Sequence, residues 1–97
     1  MNYVISGPKK AAISCLGAYV PKHKLTNADL EKMVETNNEW IIARTGIKER
    51  RILKDPSKGT SFMAINAAKD LLRKKKISPK KIEVVIVATI TPDMHVA

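Results

Sequence analysis

The chain has 97 residues, 44% hydrophobic and 28% charged, a balance typical of a folded globular domain rather than a disordered segment. Its 18 lysines and arginines against 9 aspartates and glutamates give a net charge of +9, which favours anionic partners. No apolar run approaches the ~20 residues that cross a bilayer. The amino-terminal stretch lacks the apolar core of a secretory signal, so we expect a cytoplasmic protein without a membrane partner. A single cysteine excludes an internal disulfide and a cysteine-based metal cluster.

The first predicted element is a short strand over residues 12–20, an apolar stretch that Pro21 ends. Residues 1–11 precede it as an amino-terminal extension, and residues 12–97 form the domain. Pro21 and the polar residues that follow it are expected to form a loop. Cys15 lies in the apolar stretch with no base nearby, which indicates a packing thiol rather than a nucleophile.

Two short helices are predicted next. Thr26 is suited to cap the first one, because its hydroxyl can accept from the amide of Asp29, whose carboxylate then lies in the positive first turn. The apolar face of this helix, spaced i, i+3, i+4, consists of Leu30, Met33 and Val34. The second helix is predicted over residues 38–45 and ends at Gly46, the residue type that best adopts a left-handed cap.

The clearest helix is predicted over residues 60–76, after a segment at 47–53 that is extended or a loop and a turn at 54–59. Its apolar face, spaced i, i+3, i+4, i+7 and i+8, consists of Ala64, Ala67, Ala68, Leu71 and Leu72. Ser78 and Pro79 then predict a capped helical turn.

Residues 82–90 are mostly β-branched and do not alternate, which predicts a strand buried on both faces of a parallel sheet. A helix followed by such a strand is half of an α/β repeat, so the predicted fold class is α/β. This strand needs parallel neighbours and a second helical layer, which the chain has too few elements to supply. We therefore expect them from residues beyond Ala97 or from another chain, with residues 91–97 as a loop leaving the strand.

Basic residues are concentrated after the long helix, at positions 73–76 and 80–81. Cations at the carboxyl end of a helix complement the helix dipole, so the runs are interpreted as a solvated helix end. Nucleic-acid readers combine basic residues with stacking aromatics, and no aromatic residue lies in these runs. We expect no nucleic-acid partner, and no metal site either, because His23 has no second ligand at metal spacing.

The candidate binding residues are Thr36, Trp40 and Arg44, spaced i, i+4, i+8. On a helix that continues from Thr36 they lie along one side. An indole stacks on a planar heterocycle and a guanidinium binds a phosphate in bidentate fashion, so this side suits a nucleotide-like ligand. The alternatives are a surface cation–π pair between Trp40 and Arg44 or an anchor at a protein interface. Asp93 and His95, close together in a terminal loop, are interpreted as solvated rather than as a catalytic pair.

Three segments resemble the opening of the β-ketoacyl-acyl-carrier-protein synthase III family. They are residues 26–36, the block Glu-Trp-Ile-x-x-Arg-Thr-Gly-Ile with its continuation at 39–51, and residues 85–93. The resemblance covers nearly the whole of residues 12–97, and the tryptophan block is specific.

The resemblance implies a partial thiolase-like fold, the opening of the first half of a five-layered αβαβα architecture. It implies an acyltransferase that condenses an acyl-coenzyme A primer with malonyl-acyl-carrier protein to initiate fatty-acid synthesis, as a homodimer when full length. Coenzyme A is then a substrate, and no cofactor is expected. Trp40 matches the family tryptophan that stacks on the adenine of coenzyme A, Arg44 an arginine at the nucleotide end, and Thr36 a threonine near the adenine.

The resemblance also implies that the catalytic cysteine, histidine and asparagine lie beyond residue 97, so no catalytic residue is assigned here. Cys15 does not match that cysteine, and the chain alone is expected to be inactive. Candidates for a basic surface that meets the acidic carrier protein are Lys48, Arg50 and Arg51. Two alternatives stay open: another acyl-coenzyme A condensing enzyme, such as a hydroxymethylglutaryl-coenzyme A synthase, or a non-catalytic basic binding module.

Overall fold

A computed structural model of the chain describes residues 8–94. In chain order, its elements are β1 (His23–Thr26), α1 (Asn27–Met33), α2 (Asn38–Thr45), β2 (Glu49–Ile52), α3 (Thr60–Lys75) and a short 3₁₀ turn (Pro79–Lys81). The predicted extension lies partly outside the described residues, and residues 8–11 are exposed and without regular structure. Within the described range, no helix is both long and apolar enough to cross a membrane.

β1 and β2 pair antiparallel, with His23 opposite Ile52 and Thr26 opposite Glu49. In sequence, α1 and α2 lie between the two strands. The prediction of a loop over residues 21–24 is therefore wrong at His23 and Lys24, which belong to β1. Cross-strand pairing explains the difference, because the backbone groups of β1 are satisfied by a partner about 25 positions away. Neither strand shows the apolar alternation that marks a strand in a sequence.

Local capping determines where α1 begins. Thr26 and Asp29 form a capping box, in which the Asp29 amide donates to the Thr26 hydroxyl (3.2 Å) and the Thr26 amide donates to the Asp29 carboxylate (2.9 Å). These bonds from the Thr26 backbone and side chain lower the pKa of Asp29. The predicted cap is confirmed, but α1 ends at Met33, and Val34 is already extended.

α2 also has the predicted limits. Its amino-terminal cap is Asn37, whose side-chain oxygen accepts from the amide of Trp40 (2.8 Å). It ends at Gly46, which has the left-handed φ of 70°. Ile41 packs inward from α2 and is 7% exposed, so the small core lies between α2, α1 and the strand pair.

α3 follows the predicted helix closely, ending at Lys75 with Lys76 in a left-handed cap conformation. Of its predicted apolar face, Ala64, Ala67 and the two leucines are half-buried, whereas Ala68 is exposed. Residues 12–20 pass close to this helix. A Cβ placed on Gly17 would lie 2.6 Å from the Cβ of Leu71, so only glycine permits this approach.

Neither of the two long apolar segments forms a strand. Residues 12–20 and 82–90 have no strand pairing among the described residues, and the second segment is exposed, with Ile86 at 87% and Ile90 at 95%. The prediction of two such strands, one of them buried on both faces, is wrong for this structure. A strand is defined by its ladder of partners, and within residues 8–94 only β1 and β2 pair with each other.

Candidate functional site

The candidate site lies at the start of α2. Trp40 occupies its first turn and is 55% exposed, because the Asn37 cap orients this turn outward from the core residue Ile41. Arg44 lies one turn further on, with its Cζ atom 5.3 Å from the centroid of the indole ring. This distance is within the range of a cation–π contact. The structure thus brings Trp40 and Arg44 together, and their contact has the geometry of the surface pair named as one alternative.

Thr36 has a different position from the predicted one. Asn37 is extended (φ −145°, ψ 161°) and caps α2, so Thr36 precedes the helix and does not extend its ligand side. It is nevertheless close to the indole. A cavity of about 230 Å³ is lined by Glu35, Thr36, Asn37 and Trp40. Two of the three predicted residues therefore line one cavity, and Arg44 contacts that cavity's tryptophan from the next turn.

The arrangement suits a flat ligand that carries negative charge. The indole is the only aromatic surface at the cavity, and hydroxyl, amide and carboxylate groups from Thr36, Asn37 and Glu35 surround it. These groups can hydrogen-bond to the edge of a heterocycle whose face lies on the ring. Arg44 supplies a permanent positive charge beside the ring.

A buried asparagine connects the elements that support this site. Asn27, 2% exposed, donates from its side-chain nitrogen to Oδ1 of Asn38 and to the carbonyl oxygen of Ile47, both at 2.9 Å. Its own Oδ1 accepts from Nη2 of Arg50 at 2.9 Å. The sequence does not reveal the role of this residue, because an asparagine after a helix cap is usually solvated and nothing local marks its distant partners.

The three candidate carrier-protein residues differ in their exposure and bonds. Arg50 is half-buried and donates to Asn27 and to the carbonyl oxygen of Leu25 (3.3 Å), so it serves the interior rather than a partner. Arg51 donates to the carbonyl oxygen of Pro21 at 3.1 Å. Arg51 and Lys48 are both exposed, and the Lys48 side chain has no such bond among the described residues.

Asp93 is an exposed loop residue, as predicted, but its carboxylate also has a structural role. Its carboxylate accepts from the amide of Ser61 (3.0 Å) and from the Ser61 hydroxyl, so it caps α3, whose own cap residue Gly59 has no side chain. The hydroxyl and the amide of Ser61 lower the pKa of Asp93. His95 lies outside the described residues.

Cys15 is half-buried with its sulfur 3.8 Å from the Leu71 carbonyl oxygen, in agreement with a packing thiol. Within residues 8–94, no group of His, Cys, Asp and Glu is arranged to hold a metal ion.

No protein-family model matches the chain. Individual proteins, however, do match the chain. The chain is 56% identical over 85 residues to a β-ketoacyl-acyl-carrier-protein synthase III of Porphyromonas gingivalis, an alignment that covers 88% of the chain and 25% of that protein. Identity to the synthase III of Chlorobium phaeobacteroides is also 56% over 85 residues, covering 88% of the chain and 26% of the relative.

Two solved structures are similar as well. The synthase III from Thermus thermophilus superimposes with a TM-score of 0.76 at 48% identity, over 87% of this chain and 26% of that one. The 3-oxoacyl-acyl-carrier-protein synthase III from Aquifex aeolicus gives a TM-score of 0.64 at 52% identity, over 69% and 21%. Over the aligned residues, the chain belongs to the β-ketoacyl-acyl-carrier-protein synthase III family.

The family assignment confirms the resemblance and the fold class. The described elements are part of the α/β, thiolase-like fold of these synthases. The chain spans about a quarter of the length of the curated relatives it matches. The relatives reported above are all named synthase III, so the hydroxymethylglutaryl-coenzyme A synthase alternative is not favoured.

Proposed function

We propose that this chain is the amino-terminal part of a synthase that condenses an acyl-coenzyme A primer with malonyl-acyl-carrier protein. In this proposal, the chain binds the nucleotide end of the coenzyme A. The observation that carries the proposal is the cation–π contact of Trp40 and Arg44 next to the cavity at the start of α2. In a chain that is 56% identical to a named synthase III, this pair has the chemistry that an adenine and its phosphates require.

Each of the three proposed binding residues has a distinct task. Trp40 stacks on the adenine ring, a contact worth about 1–3 kcal/mol for a base on an aromatic side chain. Arg44 pairs with a phosphate of the nucleotide, and its contact with the indole holds it beside the ring. Thr36, in the cavity wall, offers a hydroxyl to a polar atom of the base or ribose.

The proposal assigns binding, not bond-making, to these residues. Coenzyme A is a substrate carrier in it rather than a resident cofactor. The covalent steps belong to the cysteine, histidine and asparagine that the resemblance expects beyond residue 97, so the chain alone should not turn over acetyl-coenzyme A and malonyl-carrier protein. We propose further that the active enzyme is a cytoplasmic homodimer, as the resemblance implies.

The binding proposal can be tested on the 97-residue chain by calorimetric titration with coenzyme A. Replacing Trp40 by alanine should weaken binding by about 1–3 kcal/mol, because the stacking surface is lost. Phenylalanine at position 40 should retain part of the affinity. Pantetheine, which lacks the nucleotide, should bind weakly and respond little to either change.

Arg44→Ala should also weaken coenzyme A binding, through the lost phosphate contact. Lys75→Ala is its matched control, since it removes one positive charge from an exposed site at the end of α3. Equal losses in the two variants would mean that net charge alone attracts the ligand. Equal affinity of the parent chain and Trp40→Ala would contradict the nucleotide site itself.

A further inference from the structure

The start and the end of α2 are hydrogen-bonded to the same buried side chain. Asn38 is the first residue of α2, and Ile47 lies just beyond Gly46, which ends it. The side-chain nitrogen of Asn27 donates to both, each at 2.9 Å. Since an amide nitrogen has two hydrogens, both donors of Asn27 are used.

The orientation of this amide is determined by a cation. Nη2 of Arg50 lies 2.9 Å from Oδ1 of Asn27, and an arginine can only donate. The oxygen of Asn27 must therefore face β2, and its nitrogen must face α2. The backbone amide of Asn27 adds a bond to the carbonyl oxygen of Lys48 (3.2 Å), so α1, α2 and β2 meet at one residue.

A second bond restrains the first turn of α2. The backbone amide of Asn38 donates to Oε1 of Glu31 on α1 at 2.7 Å. Asn38 is thus held through its side chain by Asn27 and through its backbone by Glu31, two positions before Trp40. A rotation of this turn would break both bonds, and α2 has few apolar contacts to replace them, since Ile41, at 7% exposure, is its one buried residue.

We propose that Asn27, oriented by Arg50, is a positioning residue for the indole of Trp40. It contacts no ligand. Its role is to fix the direction in which α2 presents the ring, so that a flat ligand meets a surface that is already ordered and loses less conformational freedom on binding. The ligand part of this inference rests on the proposed coenzyme A site, whereas the ordering of Trp40 does not.

The chain offers a direct reporter, because Trp40 is its single tryptophan. Two variants test the role. Asn27→Asp keeps the acceptor for Arg50 but removes both donors, and Asn38→Ala removes one acceptor at a half-buried position while leaving Asn27 intact. The matched control is Asn66→Ala on α3, which deletes another half-buried asparagine whose side chain donates to the Phe62 carbonyl oxygen at 2.8 Å.

Fluorescence anisotropy of Trp40 without ligand should fall in Asn27→Asp and Asn38→Ala, while far-UV circular dichroism stays at the parent level. Coenzyme A affinity should fall about tenfold in both, the size expected for one net hydrogen bond. Asn66→Ala should change neither quantity. If Asn27→Asp fails to fold, the Asn38→Ala result decides.

Unchanged anisotropy in folded Asn38→Ala would overturn the proposal, and so would an equal drop in Asn66→Ala, which would indicate general loosening. A parent chain that binds no coenzyme A would count against the proposed function alone. In that case the anisotropy comparison would still decide whether Asn27 orders the indole.

Discussion

Single polar side chains make several of the longest-range connections in this molecule. Asp70 on α3 accepts from the backbone amide of Ala18 at 3.0 Å, across 52 positions of sequence. The same carboxylate pairs with Lys74 at 2.8 Å and with Arg73. The hydrogen bond from the Ala18 amide connects α3 to the segment at 12–20. The charge state of Asp70 therefore affects how strongly that segment is attached to α3.

We expect the stability of the chain to fall in acid partly through Asp70. Its bond with Lys74, and then the amide of Ala18, lower its pKa from 3.8 to about 2. A carboxyl with a lower pKa in the folded state stabilises the fold fully above the unfolded value, and the contribution is lost as the pH falls from about 4 toward 2. Urea unfolding midpoints, measured across this window, should drop less steeply in Asp70→Asn than in the parent chain.

The control for this prediction is Glu83→Gln, which removes one carboxylate from an exposed residue outside α3. It should keep the parent's pH profile. Superimposable profiles for Asp70→Asn and the parent would show that the link between Asp70 and Ala18 has no part in acid unfolding.

At the scale of elements, local chemistry was predictable and pairing was not. The caps at Thr26 and Gly46 depend on residues within one helical turn, and the sequence predicted both. The segment predicted as extended or loop at 47–53 contains β2, but its pairing with β1 was not predicted, because the two strands are far apart in sequence. The strand predicted at 82–90 has no ladder within the described range. Ladder partners far apart in sequence leave no local mark.

In the candidate site, too, the contact within one helix was predictable and the contacts between elements were not. Trp40 and Arg44 were predicted to be neighbours from their spacing on one helix, and they are in contact. Thr36 was placed on that helix because nothing in the spacing shows that Asn37 caps it. The bonds of Asn27 and the capping of α3 by Asp93 were out of reach, since both depend on tertiary contacts.

The cap of α2 allows a clean measurement of backbone strain. Gly46 has a φ of 70°, and a Cβ built on it would meet no atom within 4 Å. Gly46→Ala should therefore cost about 1 kcal/mol of unfolding free energy from conformation alone, without a clash. Gly46→Asn should cost less, because asparagine tolerates this region better. Both values can be read from urea unfolding.

Lys76 provides the opposite change as a control, because it caps α3 in the same left-handed region with a φ of 56°. Lys76→Gly should raise the unfolding free energy if backbone conformation dominates at these caps. A stabilising Gly46→Ala, or a destabilising Lys76→Gly with normal helix content, would refute that account.

At the scale of the whole molecule, apolar surface is unevenly distributed. Residues 82–90 expose a nearly continuous run of β-branched side chains. Ile13 and Leu16, in the segment that crosses α3, expose further apolar surface. Contiguous apolar surface of this kind is typical of an interface, and extended backbone without a ladder partner invites pairing with another chain. The described core is correspondingly small.

We therefore expect the purified 97-residue chain to associate as its concentration rises, through residues 82–90. Sedimentation velocity should show the average mass increasing with concentration, and the double change Ile86→Lys with Ile90→Lys should reduce this increase by placing charge on the exposed run. Met33→Lys is the matched control, since it adds a lysine in place of an exposed apolar side chain on α1, outside residues 82–90. A chain that stays monomeric at every concentration would contradict the prediction. An equal reduction in Met33→Lys would mean that added charge, rather than the loss of this particular surface, prevents association, and residues 82–90 would then not be the surface that associates.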